Sequence, residues 1–329
     1  MRQLADLAAA WDARPWGYSR AVWTLVLALD ALPWPWGEEI LARGFVARAF
    51  VRVTRLRRAL AWAGAQPSTR HGVDGATARH ALGGQRRIGQ EAGGLRRWSL
   101  ACSVCRHQGL FVARSALIGV RDPEALRRIV VARGEEHLAA AGPGAILLGF
   151  HLGPAQSYLV LRALGHQLTW VGGRGASPAW APSIRDRFQR EHGDLFYPGR
   201  AHVWERRLYK ARQLLVRGEH VFISADGGGT EAFSVPLPGG RASLGAGWWF
   251  LRRNTKAPAL PVLSHLEGRT QVVTIHPPLP PPLADPALDT EACREAIGTL
   301  LAEHVKQFPE QCYSLVFGLP SDEPPRSRQ

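Results

Sequence analysis

Apolar positions in this chain of 329 residues change their spacing a little before its midpoint. In the first part they recur every three to four residues. From residue 145 on, short unbroken apolar runs alternate with helix-spaced stretches. The runs at 145–150, 168–171, 220–224 and 259–263, with Val272-Val273-Thr274-Ile275, predict strands. Helical segments are expected between them, near 155–164, 180–192, 203–217 and 244–254, and Asp289 to Gln307 reads as a closing helix. Such alternation predicts an α/β fold, a mostly parallel sheet flanked by helices. Pro277 to Pro286 reads as a surface connection and 320–329 as a polar, disordered tail.

The first part predicts helices. Asp6 and Asp12 interrupt the opening apolar run, so it does not read as a secretory signal. The apolar stretch Ala21 to Leu29 is shorter than the roughly 20 residues that span a bilayer, and Asp30, Pro33 and Pro35 end it. Trp16, Trp23, Trp34 and Trp36 flank it, a residue type that favours the membrane–water interface; the segment fits either buried core or insertion into one leaflet. Over Glu38 to Ala61, Val46, Ala49, Phe50, Val53, Leu56 and Leu60 form one helix face, and Arg48, Arg52 and Arg55 fall on another. That pattern suits an anionic lipid surface, and a solvated helix face accounts for it as well. Residues 66–94 read as a Gly-, Ser- and Arg-rich loop with one short helix, and Leu95 to Ile118 as a helix. Asp122 and Pro123 open a further helix expected to run to about Ala141. The expected organisation is a helical, basic, membrane-associating region over 1–120, an α/β core over 121–319 and a tail over 320–329.

Charge sharpens that division. The formal net charge is +14, and Met1 to Val120 contributes +10 of it from 17 Arg against 7 acidic residues. A basic surface attracts polyanions: anionic lipid, an acidic protein or nucleic acid. No zinc-finger, RNP-like or homeodomain-like string supports the last, so no nucleic-acid partner is expected. Cys102 and Cys105 form a C-x-x-C with no second pair, which argues against zinc, and no metal site is expected.

Candidate chemistry centres on Gly149-Phe150-His151-Leu152-Gly153-Pro154-Ala155-Gln156-Ser157. The histidine falls where a strand ends and a helix begins, the end of an open α/β sheet at which ligands bind. An imidazole there is able to act as a general base near neutral pH, and a structural loop histidine is the alternative.

Five motifs, in order, resemble the bacterial lipid A biosynthesis acyltransferase family of lauroyl and myristoyl transferases, which belongs with the wider glycerolipid acyltransferases. The similarity runs from about residue 20 to 318. In that family a strand is followed by H-x4-D/E; here the motif is His151 with Gln156. Trp170-Val171-Gly172-Gly173-Arg174 is similar to a strand ending in a substrate-binding arginine. Gly218 to Gly229, with its continuation Val235 to Ala242, resembles the next family block. Lys256-Ala257-Pro258-Ala259-Leu260-Pro261-Val262 is like the closing strand, and Phe308-Pro309-Glu310-Gln311-Cys312-Tyr313 is like the terminal P-E-Q-W with its Trp replaced by Cys312.

The resemblance implies transfer of a fatty acyl group from a thioester, on acyl carrier protein or coenzyme A, to a hydroxyl of a membrane glycolipid, with no other cofactor. His151 would be the base, and the family's acid would stabilise the imidazolium as it forms. Arg174, Asp226, Gly227, Gly228 and Arg241 would bind substrate. The glycines after Asp226 serve equally to let backbone amides approach an anion or to make a tight turn. The resemblance further implies a peripheral place on the cytoplasmic face of the inner membrane, with an anionic lipid surface and an acyl carrier protein as partners. Gln156 departs from the family, because an amide cannot balance an imidazolium charge. Three readings follow. Asp226 supplies the charge instead; His151 works alone; or the chain is a catalytically silent lipid-binding homologue. A phospholipid or mannosylated lipid is an alternative acceptor for such an atypical member.

Overall fold

The computed structural model describes residues 39, 43, 59–61, 63, 97–111, 114, 127–154, 157–171, 202–226, 231–237 and 240–312. After a helical stretch at 97–111, the elements are β1 (Val130–Arg133), α1 (Glu135–Ala141), β2 (Ile146–Gly149), α2 (Ser157–Ala163) and β3 (Leu168–Val171). Then come α3 (His202–Val216), β4 (His220–Ser224), β5 (Glu231–Leu237), β6 (Gly240–Gly245) and α4 (Ala246–Thr255). β7 (Ala259–Glu267), β8 (Thr270–Ile275), α5 (Pro286–Gln307) and a 3-10 turn (Pro309–Gln311) follow.

Six strands form one sheet in the order β1-β8-β7-β2-β4-β3. β7, β2, β4 and β3 are mutually parallel, while β8 is antiparallel to β7 and carries β1 parallel to itself. This is the α/β class with a mostly parallel sheet that the alternating pattern predicts. The central strands are apolar on both faces because helices cover both. In β2, Leu147 faces one core with Tyr158, Leu159 and Leu161 of α2. Ile146 and Leu148 face the other, with Ala211 and Leu215 of α3, Trp248 and Leu251 of α4, and Ile297 and Leu301 of α5. Burial of such side chains stabilises by roughly 1.5–3 kcal/mol each, so the central strands make a stiff platform.

Connections out of that platform diverge. The chain leaves β2 for α2 on one face of the sheet, and leaves β4 for the β5–β6 hairpin and α4 on the other. β2 and β4 are neighbours, so a crevice opens between their carboxyl ends, the switch point at which open α/β sheets bind ligands.

Two elements differ from the sequence pattern. The helix expected to run to Ala141 is replaced at 130–133 by edge strand β1, which pairs with Gln271 to Thr274 of β8. Val130 and Val131 are β-branched and gain a sheet neighbour that no local pattern reveals. Gly134 then turns the chain at φ 75, where a Cβ would lie 2.0 Å from the Ile275 carbonyl oxygen. The second is the β5–β6 hairpin, where no strands are expected; Phe233, Val235 and Leu237 alternate into the core and are all buried.

No helix among the described residues is long and apolar enough to cross a membrane. The apolar stretch 21–29, most of the amphipathic 38–61 segment and the tail 320–329 lie outside the described residues.

Candidate active site

The register of two parallel strands builds the site. Gly149 at the end of β2 stands beside Ser224 at the end of β4. Both chains continue past that point in step, with Ala225 N–H donating to the Gly149 carbonyl at 2.8 Å. Two residues beyond each strand end, His151 and Asp226 therefore meet across the crevice. The backbone N–H of His151 donates to Asp226 Oδ2 at 2.8 Å, and His151 Nδ1 lies 2.8 Å from Asp226 Oδ1. Two bonds from one residue to one carboxylate fix both the position and the rotation of the imidazole.

With Nδ1 as the donor to a carboxylate, the neutral ring carries its free lone pair on Nε2; the tautomer follows from the hydrogen-bond geometry. Among the described residues Nε2 has no hydrogen-bonding partner. The Asp226 side chain is 9% exposed and that of His151 32%, so the acid is enclosed while the ring keeps an opening. Phe111, from the 97–111 helix, approaches the ring at 6.3 Å between centroids and a tilt of 58°. Burial by itself would push the His151 pKa down, but the charge of Asp226 and its hydrogen bond outweigh that and raise it above the ordinary imidazole value.

An imidazole oriented by a buried carboxylate, with its second nitrogen open, is equipped to remove a proton from a hydroxyl and hold it as a stabilised imidazolium. Among the described residues no cluster of His, Cys, Asp and Glu is arranged to hold a metal.

Of the residues singled out from the sequence, the structure brings His151 and Asp226 together. Asp226 is expected above among the substrate-binding residues; its contacts put it on the histidine, the arrangement that the first of the three readings of Gln156 requires. Arg241 is exposed on β6, four positions before Gly245, whose N–H donates to the Ala225 carbonyl. Four strand residues span roughly 13 Å. Arg241 makes no hydrogen bond or ion pair with His151 or Asp226. Gln156, Arg174, Gly227 and Gly228 lie outside the described residues. Phe111 is a neighbour of the site that sequence reasoning missed, for it arrives from a helix with no motif of its own.

No protein-family model and no curated protein matches the chain. Among solved structures, it is similar to the crystal structure of the 1-acyl-sn-glycerophosphate (LPA) acyltransferase, PlsC, from Thermotoga maritima. The identity is 15%, the match covers 61% of this chain and 82% of that one, and the TM-score is 0.35. At that level of likeness the roles of residues rest on the geometry given above.

Proposed function

We propose that this chain is an O-acyltransferase that moves a fatty acyl group from a thioester to a hydroxyl of a membrane lipid, with His151 as general base. The observation that carries the reading is the His151–Asp226 dyad at the switch point, with Nε2 open. The five ordered sequence motifs supply the reaction class.

In the proposed reaction, Nε2 of His151 removes the proton of the acceptor hydroxyl as its oxygen attacks the thioester carbonyl carbon. The Asp226 carboxylate, bonded to Nδ1, stabilises the imidazolium. The tetrahedral intermediate then collapses with cleavage of the C–S bond, and the imidazolium returns the proton to the departing thiolate. Ester and thiol are the products, no covalent acyl-enzyme forms, and no further cofactor is required. Asp226 takes over the charge-balancing task that the resemblance assigns to the position of Gln156.

The proposed donor is an acyl carrier protein or coenzyme A thioester, and the proposed acceptor a glycolipid resembling a lipid A precursor. A phospholipid or mannosylated lipid would use the same chemistry. The proposed location is the cytoplasmic face of the inner membrane, held peripherally on an anionic lipid surface by the basic N-terminal part.

The test uses purified full-length protein with an isotopically labelled acyl thioester and a membrane lipid extract, read by mass spectrometry. A labelled acyl-lipid product that disappears in His151→Ala is expected. No product would sink the proposal and leave the silent lipid-binding homologue, and equal product from His151→Ala would remove His151 as the base.

A further inference from the structure

Asp226 holds His151 from the β4 side of the crevice, and a second anchor holds it from the β7 side. β2 ends opposite Val262, whereas β7 runs on to Glu267. The later part of β7 stays paired with β8, Leu266 standing opposite Gln271, but has lost its neighbour on the β2 side. The backbone of Leu266, half-buried, would be left with an N–H and a C=O unpaired on that side.

Gln311 fills the place. Its side-chain amide, 3% exposed, accepts from Leu266 N–H at 2.7 Å and donates to the Leu266 carbonyl at 3.2 Å, as a neighbouring strand would. Its own main-chain carbonyl accepts from Gly153 N–H at 3.2 Å, two residues beyond His151. Gly153 is pressed against the same strand at φ 75, where a Cβ would fall 2.5 Å from the Ser264 carbonyl oxygen. Phe308, just ahead of the turn that carries Gln311, stacks on His265 of β7 at 4.0 Å between ring centroids.

We infer that Gln311 is a positioning residue for His151: its side chain takes over the edge of β7 that β2 gives up, and its carbonyl ties down the loop that carries the imidazole. The histidine is thereby held from both sides, by Asp226 and by the Gln311–Gly153 contact. Two links of backbone separate Gly153 from His151, so release of the first displaces the second. A hydrogen bond of 2.8 Å weakens within a few tenths of an ångström of displacement. The catalytic consequence rests on the acyl-transfer reading; the structural consequence does not.

The experiment follows His151 itself by nuclear magnetic resonance in full-length protein labelled with 15N-histidine, the resonance being assigned by its loss in His151→Ala. Asp226 is the charged group that acts on this ring, so the titration of the imidazole reports the dyad. In Gln311→Met, which keeps the shape of the side chain and removes its bonds to Leu266, the protected Nδ1–H signal is expected to be lost. The titration midpoint should fall toward the ordinary value of about 6.5. In the acyl-transfer assay kcat should drop at least tenfold, with KM for both substrates within twofold. Should Gln311→Met fail to fold, Gln311→Asn, neutral and one methylene shorter in its reach toward Leu266, yields the same readings. A folded variant with an unchanged Nδ1–H signal and midpoint would overturn the inference. Absence of acyl transfer in the wild type together with a shifted His151 signal would overturn the acyl-transfer proposal and leave the role of Gln311 standing.

Discussion

Asp226 and Asp289 are both enclosed carboxylates that bond a nitrogen-bearing side chain, and they differ in what that partner can do. Asp289, at the start of α5, is 0% exposed and faces Arg252 at 1%. Its oxygens accept from Arg252 Nη1 at 2.9 Å, from Arg253 at 3.1 Å and from Leu283 N–H at 3.0 Å. Burial pushes the Asp289 pKa up, but the Leu283 N–H and the two guanidiniums reverse that and hold it below the usual carboxylate range. Guanidiniums do not titrate in proteins and have no acceptor lone pair, so this cluster cannot pass a proton. It ties α4 to the Pro-rich connection and to α5. Asp226 instead faces an imidazole that has a second nitrogen left over and an opening beside it. A buried carboxylate becomes functional through what its partner still has to offer after the two have paired.

The largest effect expected of that contrast is on turnover at Asp226. Asp226→Asn should lower turnover by about 10³–10⁴-fold, the scale seen when the orienting acid of a serine-protease triad is made an amide. Loss of the carboxylate removes both influences that raise the His151 pKa, so the rate should rise with pH through a lower midpoint than in the wild type, whose midpoint lies above the ordinary value. Stability carries a matching sign. A raised imidazole pKa contributes stability that is fully present below about pH 6.5 and is lost as pH rises through the folded value. Asp226→Asn should therefore lower Tm more at pH 5 than at pH 8. An unchanged pH–rate midpoint would show that Asp226 does not act on the imidazole.

Asp289→Ala should behave in the opposite way. It leaves two guanidiniums without their carboxylate, and removal of one partner of a buried pair costs about 3–5 kcal/mol. Urea unfolding would show that loss, while activity per folded molecule and the pH–rate midpoint stay unchanged. A variant as stable as the wild type, with its midpoint moved, would abolish the distinction between the two carboxylates.

The same contrast separates what the sequence made legible from what it hid. The central strands were readable because a strand buried on both faces must be apolar throughout, as Ile146, Leu147 and Leu148 are. Edge strand β1 was not, because Val130 and Val131 sit in a stretch with helical spacing and owe their conformation to β8, more than a hundred residues away in the chain. His151 stood out through its place after a strand. Asp226 was legible as an acid beside glycines, but its meeting with His151 depends on β2 and β4 being neighbours in register, which no local pattern encodes. Gln311 was visible only as part of a motif, since its partners Leu266 and Gly153 come from β7 and the His151 loop.

A third carboxylate provides the smallest effect and the finest control. Glu267, at the end of β7, is 44% exposed and forms a fork with Arg133, both bonds at 2.8 Å, and a 2.9 Å contact with His265 Nε2. The Arg133 guanidinium, then His265, hold its pKa down at about 2. A depressed carboxylate contributes stability that is present above the unfolded value, about 4.3, and is lost as pH falls toward the folded one. Solvent screening keeps such an exposed contribution small. Glu267→Gln should thus lower Tm by no more than about two degrees at pH 7, and the difference from the wild type should narrow at pH 3. Glu267 neighbours Leu266 in the strand that Gln311 grips, yet it has no bond to the His151 loop, so the His151 Nδ1–H signal should not move. A lost signal in Glu267→Gln would mean that charge at the end of β7, rather than the amide of Gln311, sets the position of the imidazole.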